Sequence, residues 1–266
     1  MGAADDNFYI TSAMMPTLNN SPVFLNTPVV FGYVGQPLQF SFAASDPDGD
    51  SLAFSLKPAM QTATTTVVYN QGFTYQQPFD SITHFDSITG VATIIPTTAQ
   101  IGVIAAEVRE YRNGALVGKV ERDMQVIILN NAQNNFPTIS GVSGTNAYDV
   151  FANPGDSISF FAVLSDADPF DTVTAYWTSG INANMTVTGD TAWFSWIPDT
   201  SHVQFAPHLA TLTAQDNHCP IVGTSISVFK IYVVNPDTSA VWPGDTDNDF
   251  DVDIYDVLPL TIAAGS

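Results

Sequence analysis

The chain has 266 residues, with 26 acidic and 6 basic side chains and a formal net charge of −20. At roughly 100–150 residues per domain this predicts two domains, and a composition 45% hydrophobic and 12% aromatic gives each a core despite the acidity. Six scattered cations cannot form the basic face that phosphate binding needs, so nucleic acid is excluded and an anionic membrane surface disfavoured, leaving divalent cations and neutral ligands.

The opening MGAADDNFYI has neither a basic n-region nor an apolar h-region, so it reads as an internal fragment or a cut edge rather than a signal peptide. Residues 1–18 fit no later pattern, and FYITSAM reads as the last strand of an upstream module. From there the chain is a series of short alternating or β-branched runs broken by Gly, Pro, Asn and Asp. They are LQFSFAAS (38–45), SLAFSL (51–56), GVATIIP (90–96), VIAAEVREY (103–111) and ALVGKVERDMQVIIL (115–129). That punctuation predicts an all-β chain of antiparallel sandwiches. Asn113-Gly114, flanked by two long runs, predicts a tight hairpin.

The second half repeats the first. SPVF (21–24) answers to FPTI (136–139), and VGQPLQFSFAASDPDGD (34–50) to PGDSISFFAVLSDADPFD (154–171). TGVATIIP (89–96) answers to TAWFSWIP (191–198), and VGKVERDMQVIIL (117–129) to VGTSISVFKIYVV (222–234). The expected organisation is one sandwich over 19–131 and a second over 132–236, joined by the Asn-rich LNNAQNNFP (129–137). A separate tail spans 242–266. No apolar run approaches the about 18 residues of a membrane-spanning helix. The lone Cys219 excludes an internal disulfide framework and a cysteine zinc site.

Carboxylates carry the chemistry. In the tail, Asp245, Asp247, Asp249, Asp251, Asp253 and Asp256 fall at positions 1, 3, 5, 7, 9 and 12 of a twelve-residue EF-hand-like calcium loop, followed by a segment of helical character. Asp245, Asp247 and Asp249 supply side chains, Asp251 its backbone carbonyl, and Asp256 the closing carboxylate. Phe250 replaces the glycine usual at position 6, which should weaken binding.

Each sandwich also has an acidic loop after its second strand: Asp46, Asp48 and Asp50 in the first, Asp166, Asp168 and Asp171 in the second. Sandwich geometry brings that loop to the same end as the last hairpin, QDNH, with Asp216 and Asn217, and as the linker asparagines Asn131, Asn134 and Asn135. Carboxylates crowded in this way repel unless a cation neutralises them, so calcium is expected at the module junction. In the first copy the matching hairpin reads Glu110-Tyr111-Arg112, which predicts a poorer site with Arg112 standing in for the ion.

The string VGQPLQFSFAASDPDGDSLAFSL, followed by FDSITGVATIIP, resembles the cadherin-like, immunoglobulin-like repeats of bacterial surface proteins. AEVREYRNGALVGKVERDMQVIILN is similar, more narrowly, to repeats of large Bacteroidota exoproteins associated with gliding motility and exported by the type IX pathway. The resemblance covers residues 20–235, and the tail WPGDTDNDFDVDIYD is similar to a single dockerin-type loop. The resemblance implies a calcium-stiffened, rod-like stack of sandwiches on the cell surface, with surface glycans or other surface proteins as partners. Relatives often carry cysteines after the Asp-Asn of the last hairpin; Cys219 stands there without a partner, so no disulfide carries over.

Two other functions compete. His84, His202, His208 and His218 make no metalloprotease spacing, and no nucleophile elbow is present. The acidic loops would hold carboxylates ionised rather than raise one for acid catalysis, so a non-enzyme is expected. A carbohydrate-binding or dockerin-bearing accessory module of a polysaccharide-degrading enzyme is the alternative. It draws on Tyr176, Trp177, Trp193 and Trp196, with Trp193 and Trp196 on opposite faces of one strand.

Overall fold

A computed structural model describes residues 8–15, 19–26, 29–79, 82–130, 134–204, 206–219 and 221–234. The described chain is all-β, with two short 3-10 turns and no α-helix among the described residues. The tail loop with Asp245, Asp247, Asp249, Asp251, Asp253 and Asp256, its following segment, and Asn131 all lie outside the described residues.

The first sandwich contains β1 (Ser12–Met14), β2 (Val23–Phe24), β3 (Val29–Tyr33), β4 (Leu38–Ser41), β5 (Ala44–Ser45), β6 (Ser51–Lys57), β7 (Ile82–Phe85), β8 (Val91–Ile94), β9 (Gln100–Arg112) and β10 (Ala115–Leu129). The second contains β11 (Thr138–Ile139), β12 (Asp149–Ala152), β13 (Ile158–Ser165), β14 (Thr174–Ser179), β15 (Asn184–Thr188), β16 (Thr191–Trp196), β17 (His208–Gln215) and β18 (Thr224–Val233).

The repeat seen in sequence is a repeat of topology. One sheet orders β6-β9-β10, the other β14-β17-β18, and in each the final strand takes a parallel partner, β3 on β10 and β12 on β18. The facing sheets, β4-β8-β7 and β13-β16-β15, match as well. Ser12–Met14 pairs antiparallel with β10, placing the FYITSAM segment on the edge of the first sandwich's larger sheet.

Alternation sets each core. β13 buries every second side chain and β16 does the same, so Phe160, Leu164, Phe194 and Trp196 point inward against Leu212, Phe229 and Ile231. The first core is a separate cluster of Phe40, Phe42, Phe54, Ile94, Ile104, Met124 and Val126. β17 departs from alternation, with Thr211 and Thr213 buried alongside Ala210, Leu212 and Ala214. Near its end the first sandwich lies beside its outer face: Phe31, Gln39 and Phe40 line a cavity together with Thr213, Gln215 and Ile226.

The longest hairpin joins β9 to β10 through Asn113 (φ 52°) and Gly114 (φ 78°), both left-handed as a two-residue turn of matching twist requires. Its register slips between Leu116 and Gly118, and this bulge sets Gly118 opposite Glu110.

Candidate metal centre

The acidic loops sit at the same end of each sandwich as the asparagines that enter it. In the second sandwich the Asn135 backbone N–H and side-chain amide both donate to Asp168, at 2.6 and 3.0 Å. Asn134 Nδ2 donates to Asp216 Oδ2 at 2.8 Å. In the first sandwich Asn20 makes the same paired contact to Asp48, at 2.6 Å from its backbone and 2.7 Å from its side chain. Asn19 takes the place of Asn134, Glu110 that of Asp216, and Gly118 that of Gly223. A Cβ on Gly118 would sit 2.3 Å from Glu110 Oε2, and one on Gly223 would sit 2.3 Å from Asp216 Oδ2. Both glycines are there for close approach, since each lets an acid lie flat against the neighbouring strand. The third acid of each loop also has a matching nitrogen partner. Arg112 binds Asp50 through Nε at 2.8 Å, and His218 Nδ1 lies 3.0 Å from Asp171 Oδ2.

In the second pole, Asp166, Asp168 and Asp171 each offer an oxygen within 4.8 Å of the others. Asp166 Oδ1 accepts from the Asp168 N–H at 2.8 Å, while its buried Oδ2 has no partner, nor has Asn134 Oδ1. Burial, with Asp216 next in effect, raises the Asp166 pKa; the Asn135 backbone N–H lowers that of Asp168. Asp216 is differently employed. It is buried, and its oxygens accept from Asn134, the His218 N–H (3.0 Å) and the Gly223 N–H (2.8 Å). Asn217 Oδ1 accepts from the Thr172 N–H at 2.8 Å, one residue past Asp171.

The first pole brings Asp46, Asp48 and Asp50 together and adds an acid that sequence reasoning left outside the ligand set, Glu110. One oxygen from each of the four lies within 4.8 Å of the rest. Glu110 is 0% exposed, and neither of its carboxylate oxygens has a hydrogen-bond partner. Burial lifts its pKa to about 7; the Asn19 side chain beside it opposes the rise, and Asp50 and Asp46 add to it. Burial also raises Asp46, whose Oδ2 is unpartnered, while the Asn20 backbone N–H lowers Asp48. Arg112 Nη2 reaches Asp50 at 2.5 Å, Asn19 Oδ1 at 2.7 Å and Asp48 at 3.2 Å. The signal that would have found Glu110 is its register: Glu110 lies opposite Gly118 at a bulge, and only the paired strand shows it.

These are the two groups of three or more potential ligands among the described residues. Both consist wholly of hard carboxylate oxygens, compatible with calcium or magnesium and unsuited to a soft metal. His202 and His208 pack on Trp196, ring centroids 4.9 and 5.2 Å away, and His208 Nε2 meets the His202 carbonyl at 2.7 Å. Cys219 is an exposed free thiol.

The junction carries further ties. Gln36 Nε2 donates to the Asn134 carbonyl at 2.7 Å, and the Tyr33 and Phe136 rings stand 5.6 Å apart. Gly180 of the second sandwich abuts Ser45 of the first, where a Cβ would lie 2.2 Å from the serine Oγ. The sandwiches therefore touch along their sides as well as through the linker. Of the aromatics weighed for glycan binding, Trp177 joins the core, Trp196 is buried, and Trp193 is 47% exposed beside Phe161, ring centroids 5.4 Å apart. Tyr176 is also 47% exposed, but on β14 of the other sheet, so these residues form no aromatic row.

No family model matches the chain, and no curated protein matches it. Among solved structures it is similar to a chimeric titin Z1Z2 (12% identity, 82% of this chain and 98% of that one, TM-score 0.24). It is also similar to extracellular cadherin domains 1–5 of protocadherin gamma B2 (15% identity, 80% of this chain, TM-score 0.28) and to the insect immune protein hemolin (11% identity, 82% of this chain, TM-score 0.25). The chain spans 39% of that protocadherin fragment and 48% of hemolin. No helix among the described residues is long and apolar enough to cross a membrane.

Proposed function

We propose that the chain is a non-enzymatic, calcium-binding piece of an extracellular surface protein, an adhesion or stalk segment whose two sandwiches are held at a fixed angle by an ion at their junction. The reading rests chiefly on how the linker enters the second pole. Asn134 and Asn135 bond to Asp216 and Asp168, so the segment joining the sandwiches is part of the acid cluster. An ion on Asp166, Asp168 and Asp171 would neutralise a carboxylate whose pKa is raised first by burial and then by the neighbouring acids, and separating the linker from the pole would uncover those charges again. The side contacts at Gly180 and Tyr33 suggest that the ion stiffens a bent pair rather than a straight rod.

The net charge of −20 fits the same setting, since a surface poor in cations suits a divalent-rich exterior and resists nonspecific association. Bacteroidota surface display, type IX export and a calcium-loaded dockerin-type tail on Asp245, Asp247, Asp249, Asp251 and Asp256 complete the reading. Surface glycans or proteins are the intended partners.

The test is thermal unfolding and hydrodynamic radius, measured in excess Ca²⁺ and in chelator. Calcium should raise the midpoint and narrow the distribution of inter-sandwich distances. Asp168→Asn should lose both effects while each sandwich stays folded. Identical midpoints and radii in the two conditions would reject the proposal.

A further inference from the structure

The two sandwiches form a crevice of about 440 Å³ between β3 and β4 of the first and β14, β17 and β18 of the second. We infer that this crevice is a binding site for a neutral saccharide, held between Phe31 and Tyr176 and read by the side-chain amides of Gln39 and Gln215. The inference rests on the reading of an extracellular adhesion segment and names where that segment takes a glycan; it uses neither acidic pole.

Charge selects the ligand class. The chain carries 26 acidic and 6 basic side chains, yet none of the twelve residues lining the crevice is charged. The other cleft between the sandwiches, where Gly180 and His202 face the first acid loop, is lined by Asp46, Asp48 and Asp50. An ionic ligand would give up its hydration in the neutral crevice with no counter-charge to replace it, a cost that a neutral ligand avoids.

The lining matches both kinds of surface that a sugar ring presents. Phe31 is 40% exposed on β3 and Tyr176 is 47% exposed on β14, so each sandwich offers one ring to the same space. Aromatic faces of this kind cover the apolar C–H face of a pyranose. Gln39 is exposed on β4, and neither its amide nor the Tyr176 hydroxyl makes a hydrogen bond among the described residues. Gln215 is held in place by Nε2, which donates to Thr224 Oγ1 at 3.3 Å and leaves the side-chain carbonyl oxygen to accept. Amides donate and accept, as sugar hydroxyls do, so the pairing needs no charge on either side. Asn26 also lines the crevice but is already engaged: its Oδ1 accepts from Arg122 at 2.9 Å and its amide donates to the Ser41 carbonyl. A proline-rich peptide would use the two rings and leave the amides unpaired, so the saccharide is the better occupant.

Because its walls belong to different sandwiches, the crevice keeps its shape only at one inter-sandwich angle. Whatever fixes that angle organises the site in advance, so the junction ion and the saccharide should each tighten binding of the other.

The test is calorimetric titration of the full chain with cellohexaose, maltohexaose and mannohexaose, in excess Ca²⁺ and in chelator. A polygalacturonate hexamer and a decaproline peptide serve as controls. At least one neutral hexaose should bind, and the charged hexamer should not. Tyr176→Ala and Phe31→Ala should each weaken binding at least about tenfold, and Gln39→Ala about fivefold. Tyr176 and Gln39 are exposed, so their variants should keep the wild-type melting midpoint. Trp193→Ala, on the other sheet of the second sandwich, should leave the affinity unchanged. Binding by none of the three hexaoses, or loss in Trp193→Ala with retention in Tyr176→Ala, would overturn the inference, as would decaproline binding in their place. Equal affinity in Ca²⁺ and in chelator would reject the junction ion and leave the crevice standing. A midpoint raised by Ca²⁺ without saccharide binding would do the reverse.

Discussion

Gly223→Ala should be among the most damaging conservative changes in the second sandwich, though the position is neither a turn nor at positive φ. Its new Cβ would lie 2.3 Å from Asp216 Oδ2, 2.6 Å from the Phe136 ring and 3.1 Å from Asn134 Nδ2. Comfortable separations are about 3.5 Å, so something must move by about 1 Å. If Asp216 moves, its 2.8 Å bond from Asn134 is lost and a buried carboxylate oxygen goes unpaired, at about 1–3 kcal/mol. If Phe136 moves, its contact with Tyr33 across the junction weakens, at about 0.5–1.5 kcal/mol. Backbone adjustment shares the strain, giving a loss of about 2–4 kcal/mol. For a domain of this size that is a fall in Tm of roughly 10–20 °C. The assay is a melt followed by tryptophan fluorescence in excess chelator, so that metal does not mask the effect. Trp177, Trp193 and Trp196 all lie in the second sandwich, and the first contains no tryptophan. A fall in Tm below about 2 °C would refute the close-approach argument, since so small a loss cannot accompany the displacement described.

Two further outcomes follow from isolated features. Burial lifts the Asp123 pKa to about 6 from an ordinary 3.8, against a partial offset from Lys57. A raised carboxylate pKa means that the folded state holds the proton more tightly. Asp123 therefore costs stability above pH 6, and the cost fades as pH falls from 6 toward 4. Asp123→Asn should stabilise the first sandwich at pH 7 by about 1 kcal/mol, after discounting for its partial exposure, with the gain gone at pH 4. Denaturant titrations at the two pH values check this, and a gain independent of pH would count against it. Gly114→Ala, at φ 78° in the β9–β10 turn, should cost about 1–2 kcal/mol in the same titration. No loss there would mean that the turn does not hold its left-handed geometry.

How much of this was legible in the sequence depends on the range of the interaction. The Asn113-Gly114 turn was readable because its cause is local: two residues able to take positive φ between two alternating runs. The repeat was readable because each strand carries its own period of two, and the parallel pairings of β3 and β12 repeat with it. The acid loops were readable as spacing, since Asp46 and Asp48, like Asp166 and Asp168, are two residues apart. The division of labour within each pole was not readable. Asp216, expected among the ligands, also clasps the linker through Asn134, and Gly223 and His218, seven and two residues on, offer it their backbone N–H groups. Glu110 looked like part of a hairpin tip and is instead buried, because a bulge at Leu116–Gly118 shifts its opposite strand by one residue and opens the space it fills. A one-residue slip reverses which face a side chain takes, and composition or spacing along one strand carries no record of it. The same limit applies to β17, whose buried Thr213 faces a cavity shared with the first sandwich, a contact that no pattern in the strand itself records.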